Sequence, residues 1–221
     1  MIAAVAMIAA FIAVMPTAVT ANAVSAAEIQ EETEELRKDS ADGVYNHLKY
    51  TINNNNTITI TGMDNANDDT DVELVIPAEI DGRKVTGIGD NAFSECVNIK
   101  SIVLNAGLVE IGDSAFAGTS ISEIDVPTTV TRIGRYAFAA TPITRLTIDE
   151  GSIGIKLDGY AFRNCKNLRK IQLNRVTAIG EGCFENNQSL KEVTLPQGLK
   201  TIPNYAFAWD YNLEADLVIP S

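Results

Sequence analysis

The amino-acid sequence predicts a repeat solenoid that is rich in strands and has few helices. Three observations predict this fold class. A phenylalanine recurs every 22 to 24 residues, an aliphatic residue lies five positions before each phenylalanine, and a spaced aliphatic triplet follows each one. A period in this range is typical of repeat architectures, in which one unit cannot bury its apolar residues alone and neighbouring units share one core.

Six phenylalanines anchor the copies of the repeat. The residue before each anchor is alanine, except for Cys183 in the fifth copy, so this position accepts only small side chains. A glycine follows the upstream aliphatic residue in four copies, whereas the fourth copy has Asp158 and the sixth has Pro203 at that position. The anchors are Phe93, Phe116, Phe138, Phe162, Phe184 and Phe207.

The segment after each anchor follows the pattern LxxLxL, as in Ile143, Leu146 and Ile148 of the third copy. Its alternating end predicts a short strand with one face in the core. Pro127 and Pro196 come directly after such strands, where a ladder donor is no longer needed. We expect these strands to form the concave face, the chain to return through the Ile-Gly segment, and the phenylalanine rings to stack as an internal spine.

The repeat unit resembles the BspA-type leucine-rich repeats of bacterial surface proteins, whose units run as LxxIxLPxxVxxIGxxAFxxC. The resemblance covers about residues 72–221, and "YNHLKYTINNNNTITITG" before it resembles the N-terminal hairpin of such proteins. It implies a right-handed leucine-rich-repeat horseshoe. It also implies a non-catalytic, adhesion-like role for a secreted or cell-surface protein.

The chain divides into four predicted segments. Residues 1–27 are apolar and end in small residues, which predicts a signal peptide without its basic n-region; a membrane anchor is the alternative. Residues 28–43 are predicted to be an acidic linker, residues 44–73 the cap hairpin, and residues 74–221 the repeats. Because "LVIPS" at the end of the chain repeats "LVIPA" at residues 74–78, we expect the chain to stop inside a further repeat of a longer protein.

The charge is concentrated before the repeats. The formal net charge is -12; residues 1–73 carry 12 acids and 3 bases, for -9, and residues 74–221 carry 17 acids and 14 bases, for -3. A nucleic-acid-binding domain should have a clear basic excess. The repeats are therefore not expected to bind nucleic acid.

Motifs for catalysis are missing from the sequence. His47 is the only histidine, and GxSxG, HExxH and phosphate-binding glycine loops are all absent. "MDNANDDTD" at residues 63–71 loosely resembles a calcium loop but lacks its glycine and terminal glutamate at the required spacing, so a plain loop is the preferred interpretation. We expect no enzyme activity, no cofactor and no bound metal.

An exported chain with three cysteines could form a disulfide, so their spacing matters. Cys96 and Cys165 occupy the same position of the first and fourth copies, which places them roughly 14 Å apart at a strand spacing of about 4.8 Å. This separation is too large for a disulfide, and Cys183 replaces a buried alanine. We therefore expect three free thiols. The other copies have short polar residues at the position of Cys96, which are expected to hydrogen-bond the turn backbone.

The predicted binding surface consists of outward residues on the strands and of two aromatic residues. A basic stretch runs from Arg163 to Arg175, and its structural alternative is a plain solvated surface. The structural alternative for the two aromatic residues is that a following repeat covers them. The stretch comprises Arg163, Lys166, Arg169, Lys170 and Arg175. The candidate residues are Asp125, Arg145, Thr147, Lys170, Gln172, Thr194, Trp209 and Tyr211.

Two functions remain from the sequence. The first is a non-catalytic module that binds an extracellular protein or polysaccharide, with membrane association only through the export signal or an anchor outside the sequence. The second is a structural spacer or accessory module of a larger extracellular enzyme or dockerin-bearing protein.

Overall fold

The structure is a computed structural model that describes residues 42–64, 71–148 and 154–214. In these ranges all regular structure is β-strand, with fifteen strands and no helix. The strands form a cap and two rows of short parallel strands, which confirms the strand-rich repeat solenoid. Four predicted segments lie wholly or mostly outside the described residues: the signal peptide, the acidic linker, the "MDNANDDTD" segment at residues 63–71 and the closing "LVIPS".

The described part of the cap consists of three strands. Its strands are β1 (Asp42–Tyr45), β2 (Leu48–Ile52) and β3 (Ile58–Met63). They pair antiparallel in chain order. The third strand then pairs parallel with β6 (Arg83–Ile88), a strand of the repeats. The cap thus covers one open edge of the repeat sheet, which is a common way to protect an edge strand.

The LxxLxL segments form one row, which we call the front row. Its strands are β4 (Val72–Val75), β7 (Ile99–Val103), β9 (Glu123–Val126), β11 (Arg145–Ile148), β13 (Lys170–Gln172) and β15 (Glu192–Thr194). They pair in parallel as β4–β7, β9–β11 and β13–β15. Among the described residues, no ladder joins β11 to β13.

The Ile-Gly segments form a second row, which we call the back row. This row was predicted only as a return path, yet it forms the longest sheet of the described residues. Its glycines explain the close stacking: a Cβ on Gly134 would lie against the backbone of Gly112 and Asp113. The row starts at β6, with β5 (Glu79–Ile80) beside it, and continues through β8 (Glu110–Ile111), β10 (Arg132–Ile133), β12 (Ile155–Leu157) and β14 (Val176–Ile179).

The phenylalanine spine is confirmed. Adjacent rings are stacked with centroids 5.2 to 5.5 Å apart, and Phe93 to Phe184 are fully buried. Residues two before and two after each anchor have positive φ, as Tyr136 (57°) and Ala140 (58°) do around Phe138. Such a conformation costs about 1–2 kcal/mol for a residue with a side chain. Here the N–H groups of every second residue point at the next copy; Phe138, for example, donates to Ala161 O over 2.8 Å.

The position three residues after the anchor is buried and polar in the four copies without a cysteine there, as expected, and we call these residues the polar ladder. Thr119, Thr141 and Asn187 each donate a side-chain hydrogen bond to the carbonyl of their own phenylalanine, over 2.9, 2.7 and 2.7 Å. All three cysteines are free and buried. Burial raises the pKa of the Cys165 thiol to about 11 and raises that of Cys183 still further.

Candidate binding face

Asp125, Arg145 and Thr147 form one cluster on the outer surface of β9 and β11. The parallel register places Arg145 beside Glu123 and Thr147 beside Asp125. The Arg145 guanidinium lies 2.6 Å from Glu123 Oε2 and 3.0 Å from Asp125 Oδ1, and donates to Thr147 Oγ1 over 3.3 Å. The hydrogen bond to Glu123 raises the pKa of Arg145, so this side chain stays cationic.

A second cluster lies on the outer surface of β13 and β15. Lys170 Nζ lies 2.7 Å from Glu192 Oε2, and the register places Gln172 beside Thr194. Glu123 and Glu192 are missing from the candidate set predicted from the sequence. They carry the opposite charge to Arg145 and Lys170 and lie one repeat away in the same register, which is the signal that identifies them.

A groove of about 390 Å³ separates the two clusters. It lies where β11 and β13 run side by side without a ladder, next to the longest spacing between anchors, the 24 residues from Phe138 to Phe162. Four predicted residues contribute to its walls. The groove is lined by Thr144, Arg145, Leu146, Thr147, Ile148, Arg169, Lys170, Gln172 and Asn174.

The charges on this part of the front row follow a symmetrical order. Arg145 on β11 and Lys170 on β13 border the groove, whereas their acidic partners lie on β9 and β15, the strands farther from it. Arg169 also lines the groove and takes part in none of the ion pairs of the described residues. Positive charge is thus central, and negative charge flanks it on both sides.

The basic stretch does not form a single patch. Arg163 pairs with Glu185 at 3.1 Å, and Lys170 belongs to the front row. Arg175 is buried and donates hydrogen bonds of 3.0 Å to the carbonyls of residues 127, 128 and 130, two copies earlier in the chain. This arginine links copies instead of facing a partner. The stretch lacks acids in sequence, but acids from the next copy lie beside it.

Trp209 and Tyr211 lie together but apart from the groove lining. Their side chains are 58% and 72% exposed, and the rings meet edge to face with centroids 6.1 Å apart. Tyr205, which sequence analysis missed, is also exposed in the same copy. The residues that would follow as a further repeat lie outside the described ranges, so cover by them stays a prediction.

Asp158, which replaces glycine in the fourth copy, belongs to an ion-pair network on the back row. Burial opposes its charge, but Lys156 at 2.9 Å and Arg132 at 2.7 Å outweigh burial and lower the pKa of Asp158. Arg132 also contacts Glu110 and Asp113 at 2.6 and 2.8 Å. The network joins three copies of the repeat, which gives the substitution a structural role.

The described residues contain no cluster of three metal-ligating side chains. His47 Nδ1 lies 2.9 Å from Asp64 Oδ1 at the exposed cap turn. No helix in the described ranges has the length and hydropathy needed to cross a membrane.

Comparison with known proteins identifies the repeat. Residues 86–214, more than half of the chain, match the BspA type leucine rich repeat region in six copies. A leucine-rich repeat protein from Bacteroides ovatus is 24% identical with a TM-score of 0.62, over 77% of this chain and 45% of that one. The T. pallidum leucine-rich repeat protein is 22% identical with a TM-score of 0.52, over 78% of this chain and 79% of that one.

The pneumococcal vaccine antigen PcpA is 20% identical with a TM-score of 0.50, over 69% of this chain and 48% of that one. No curated protein matches the chain. At these identities the solved structures show the fold alone. The chain spans less than half the length of the B. ovatus protein.

Proposed function

The chain belongs to the BspA-type leucine-rich repeat family, and from this premise we propose that it is a non-catalytic binding module, secreted or displayed on a bacterial surface. Its ligand is an extracellular protein or polysaccharide that carries negative charge. The observation that carries this proposal is the groove between β11 and β13, where cations border an open space of about 390 Å³.

The arrangement of charge supports an anionic ligand. A carboxylate or sulfate in the groove meets Arg169 directly and approaches Arg145 and Lys170 from the side opposite to their acidic partners. Thr147 and Gln172 add neutral hydrogen-bonding groups to the same walls. The flanking Glu123 and Glu192 then disfavour ligands whose negative charge extends beyond the groove, which provides selectivity.

The predicted signal peptide at residues 1–27 supports export. A structural spacer is the second candidate function. The ion pairs of Arg145 and Lys170 favour it, because they already satisfy two of the cations without a ligand.

An array of matrix proteins and acidic polysaccharides, followed by titration of each positive, tests the proposal. We expect saturable binding that weakens with added salt and falls about tenfold in Lys170→Glu, because one attraction becomes a repulsion. Gln172→Ala should weaken binding more modestly. Lys166→Glu is the matched control, since Lys166 lies in the same copy but does not line the groove. Absence of any saturable ligand would support the spacer instead. Equal loss in Lys166→Glu would contradict the groove as the binding site.

A further inference from the structure

A second recess lies at the beginning of the front row, between the β1–β2 turn and β4. Its volume is about 350 Å³. The buried side chains of Leu48, Met63 and Leu74 form its apolar floor. Tyr45 and Val75 border it, and Glu73 is its one acidic lining residue among those described. We call this recess the cap slot.

The backbone of β4 offers this slot a hydrogen-bonding edge that no described strand occupies, which we call the free edge. The Val72 N–H donates to Asn98 O over 2.8 Å, and the Ile76 N–H donates to Val103 O over 2.9 Å, both on the β7 side. Because backbone groups alternate between the two edges of a strand, the N–H and C=O of Val75 point away from β7. No strand within residues 42–64, 71–148 and 154–214 pairs with that edge.

One outward position beside this edge carries apolar side chains, unlike the same position in the rest of the row. Val75 and Val103 are paired in register and are 55% and 49% exposed. At the equivalent position the next strands carry Asp125, Thr147 and Gln172. The exposed apolar surface of the front row is therefore confined to the strands next to the free edge.

We propose that the free edge of β4 accepts an extended segment of a partner protein as an added strand. Such strand addition takes its affinity from main-chain hydrogen bonds and its specificity from alternating side chains. An added strand lies about 4.8 Å from β4. Its inward residues fill the cap slot, one outward β-branched residue packs on Val75, and an outward lysine or arginine lies beside Glu73.

Charge favours a partner segment over the chain itself. Residues 28–41 contain six acids and two bases, so they are repelled by Glu73 when they lie along β4. Two-fold pairing of β4 with a second copy offers Glu73 no cation, because the β4 strand VELV contains no basic residue. A basic, β-branched segment from another protein avoids the repulsion and also supplies a cation for Glu73.

The test uses the full chain and a labelled peptide, TKVVVKT, with TEVVVET as its charge-reversed counterpart. The alternating sequence reads the same in both directions, so it serves parallel and antiparallel addition alike. We expect saturable binding of TKVVVKT by fluorescence anisotropy. In Glu73→Lys the affinity should fall about fivefold and the preference should shift to TEVVVET, since an exposed pair contributes up to about 1 kcal/mol.

Val75→Pro tests the backbone itself. It removes the N–H that faces the slot and leaves the β4–β7 hydrogen bonds in place, so binding should be lost while the melting temperature changes little. Val75→Thr keeps the N–H and a β-branched side chain, so it should still bind. Glu95→Lys, in an exposed turn, controls for the change in net charge, and Lys170→Glu should not affect this peptide if the groove is a separate site.

Four results would overturn the proposal. The first is a wild-type chain that does not bind TKVVVKT, and the second is a Val75→Pro variant that binds it as well as the wild type does. The third is a wild-type dimer that Val75→Pro dissociates, which assigns the edge to a second copy. The fourth is displacement of TKVVVKT by a peptide of residues 28–41, which assigns the edge to the chain's own segment.

Discussion

Asp210 occupies a buried position that requires a hydrogen-bond donor, and replacing it with asparagine should stabilise the protein above neutral pH. Thr119, Thr141 and Asn187 at equivalent positions all donate to the carbonyl of their own phenylalanine. An ionised carboxylate can only accept. Asp210 accepts the Asn187 N–H at Oδ1 over 2.6 Å, but its Oδ2 has no hydrogen-bond partner among the residues that the structure describes, and the residue is only 8% exposed.

The energetic consequence follows from the pKa. Burial raises the pKa of Asp210 to about 7; the Asn187 hydrogen bond opposes the rise and the charge of Glu185 adds to it. The unfolded value is near 4, so the folded state binds the extra proton between about pH 4 and pH 7, and stability falls as the pH rises through that window. A rise in pKa from near 4 to about 7, at about 1.4 kcal/mol per pH unit, limits the loss in free energy of unfolding to about 4 kcal/mol. We expect a loss of about 2 kcal/mol.

Thermal unfolding of wild type and Asp210→Asn at pH 4, 6 and 8 measures the effect. We expect similar melting temperatures at pH 4 and a variant that melts about 4–8 °C higher at pH 8. Asp90→Asn is the matched control, because Asp90 Oδ1 also accepts one backbone N–H, from Asp113 over 2.7 Å. A variant that is less stable at pH 8, or whose gain does not change with pH, would refute this reasoning.

Three other predictions follow from the packing. Phe138→Ala should destabilise the protein by about 3–5 kcal/mol in urea unfolding, because it leaves a cavity inside the spine; a loss below about 1 kcal/mol would contradict a continuous stack. Arg175→Met should cost about 3 kcal/mol or more, since three carbonyls lose their donor, and the same titration would show an unchanged midpoint if the link were unimportant. Cys165 and Cys183 should resist alkylation at pH 8 in the native protein and react in denaturant without reductant, whereas rapid native labelling would show that they are accessible.

The sequence alone predicts the parts of the fold that depend on one repeat at a time. The burial pattern of each copy can be predicted from that copy alone. Its buried residues recur at nearly constant spacing, as with Ala137, Phe138, Ile143 and Leu146 in the third copy. For the same reason the three free thiols and the polar ladder were predicted correctly. Arg145 and Lys170 were predicted to face outward because outward positions alternate with buried ones along a strand, and both are exposed.

The tertiary structure decided what depends on the register between copies. The back-row sheet, the pairing of Arg145 with Glu123 and the burial of Arg175 against carbonyls two copies away all join residues at least 20 positions apart. The groove between β11 and β13 depends on how two neighbouring strands are offset, which the longer spacing after Phe138 signals but does not specify. A periodic sequence predicts which side chains point into the core. Which outward side chains contact one another depends on the offset between neighbouring copies, and only the stacked backbone determines that offset.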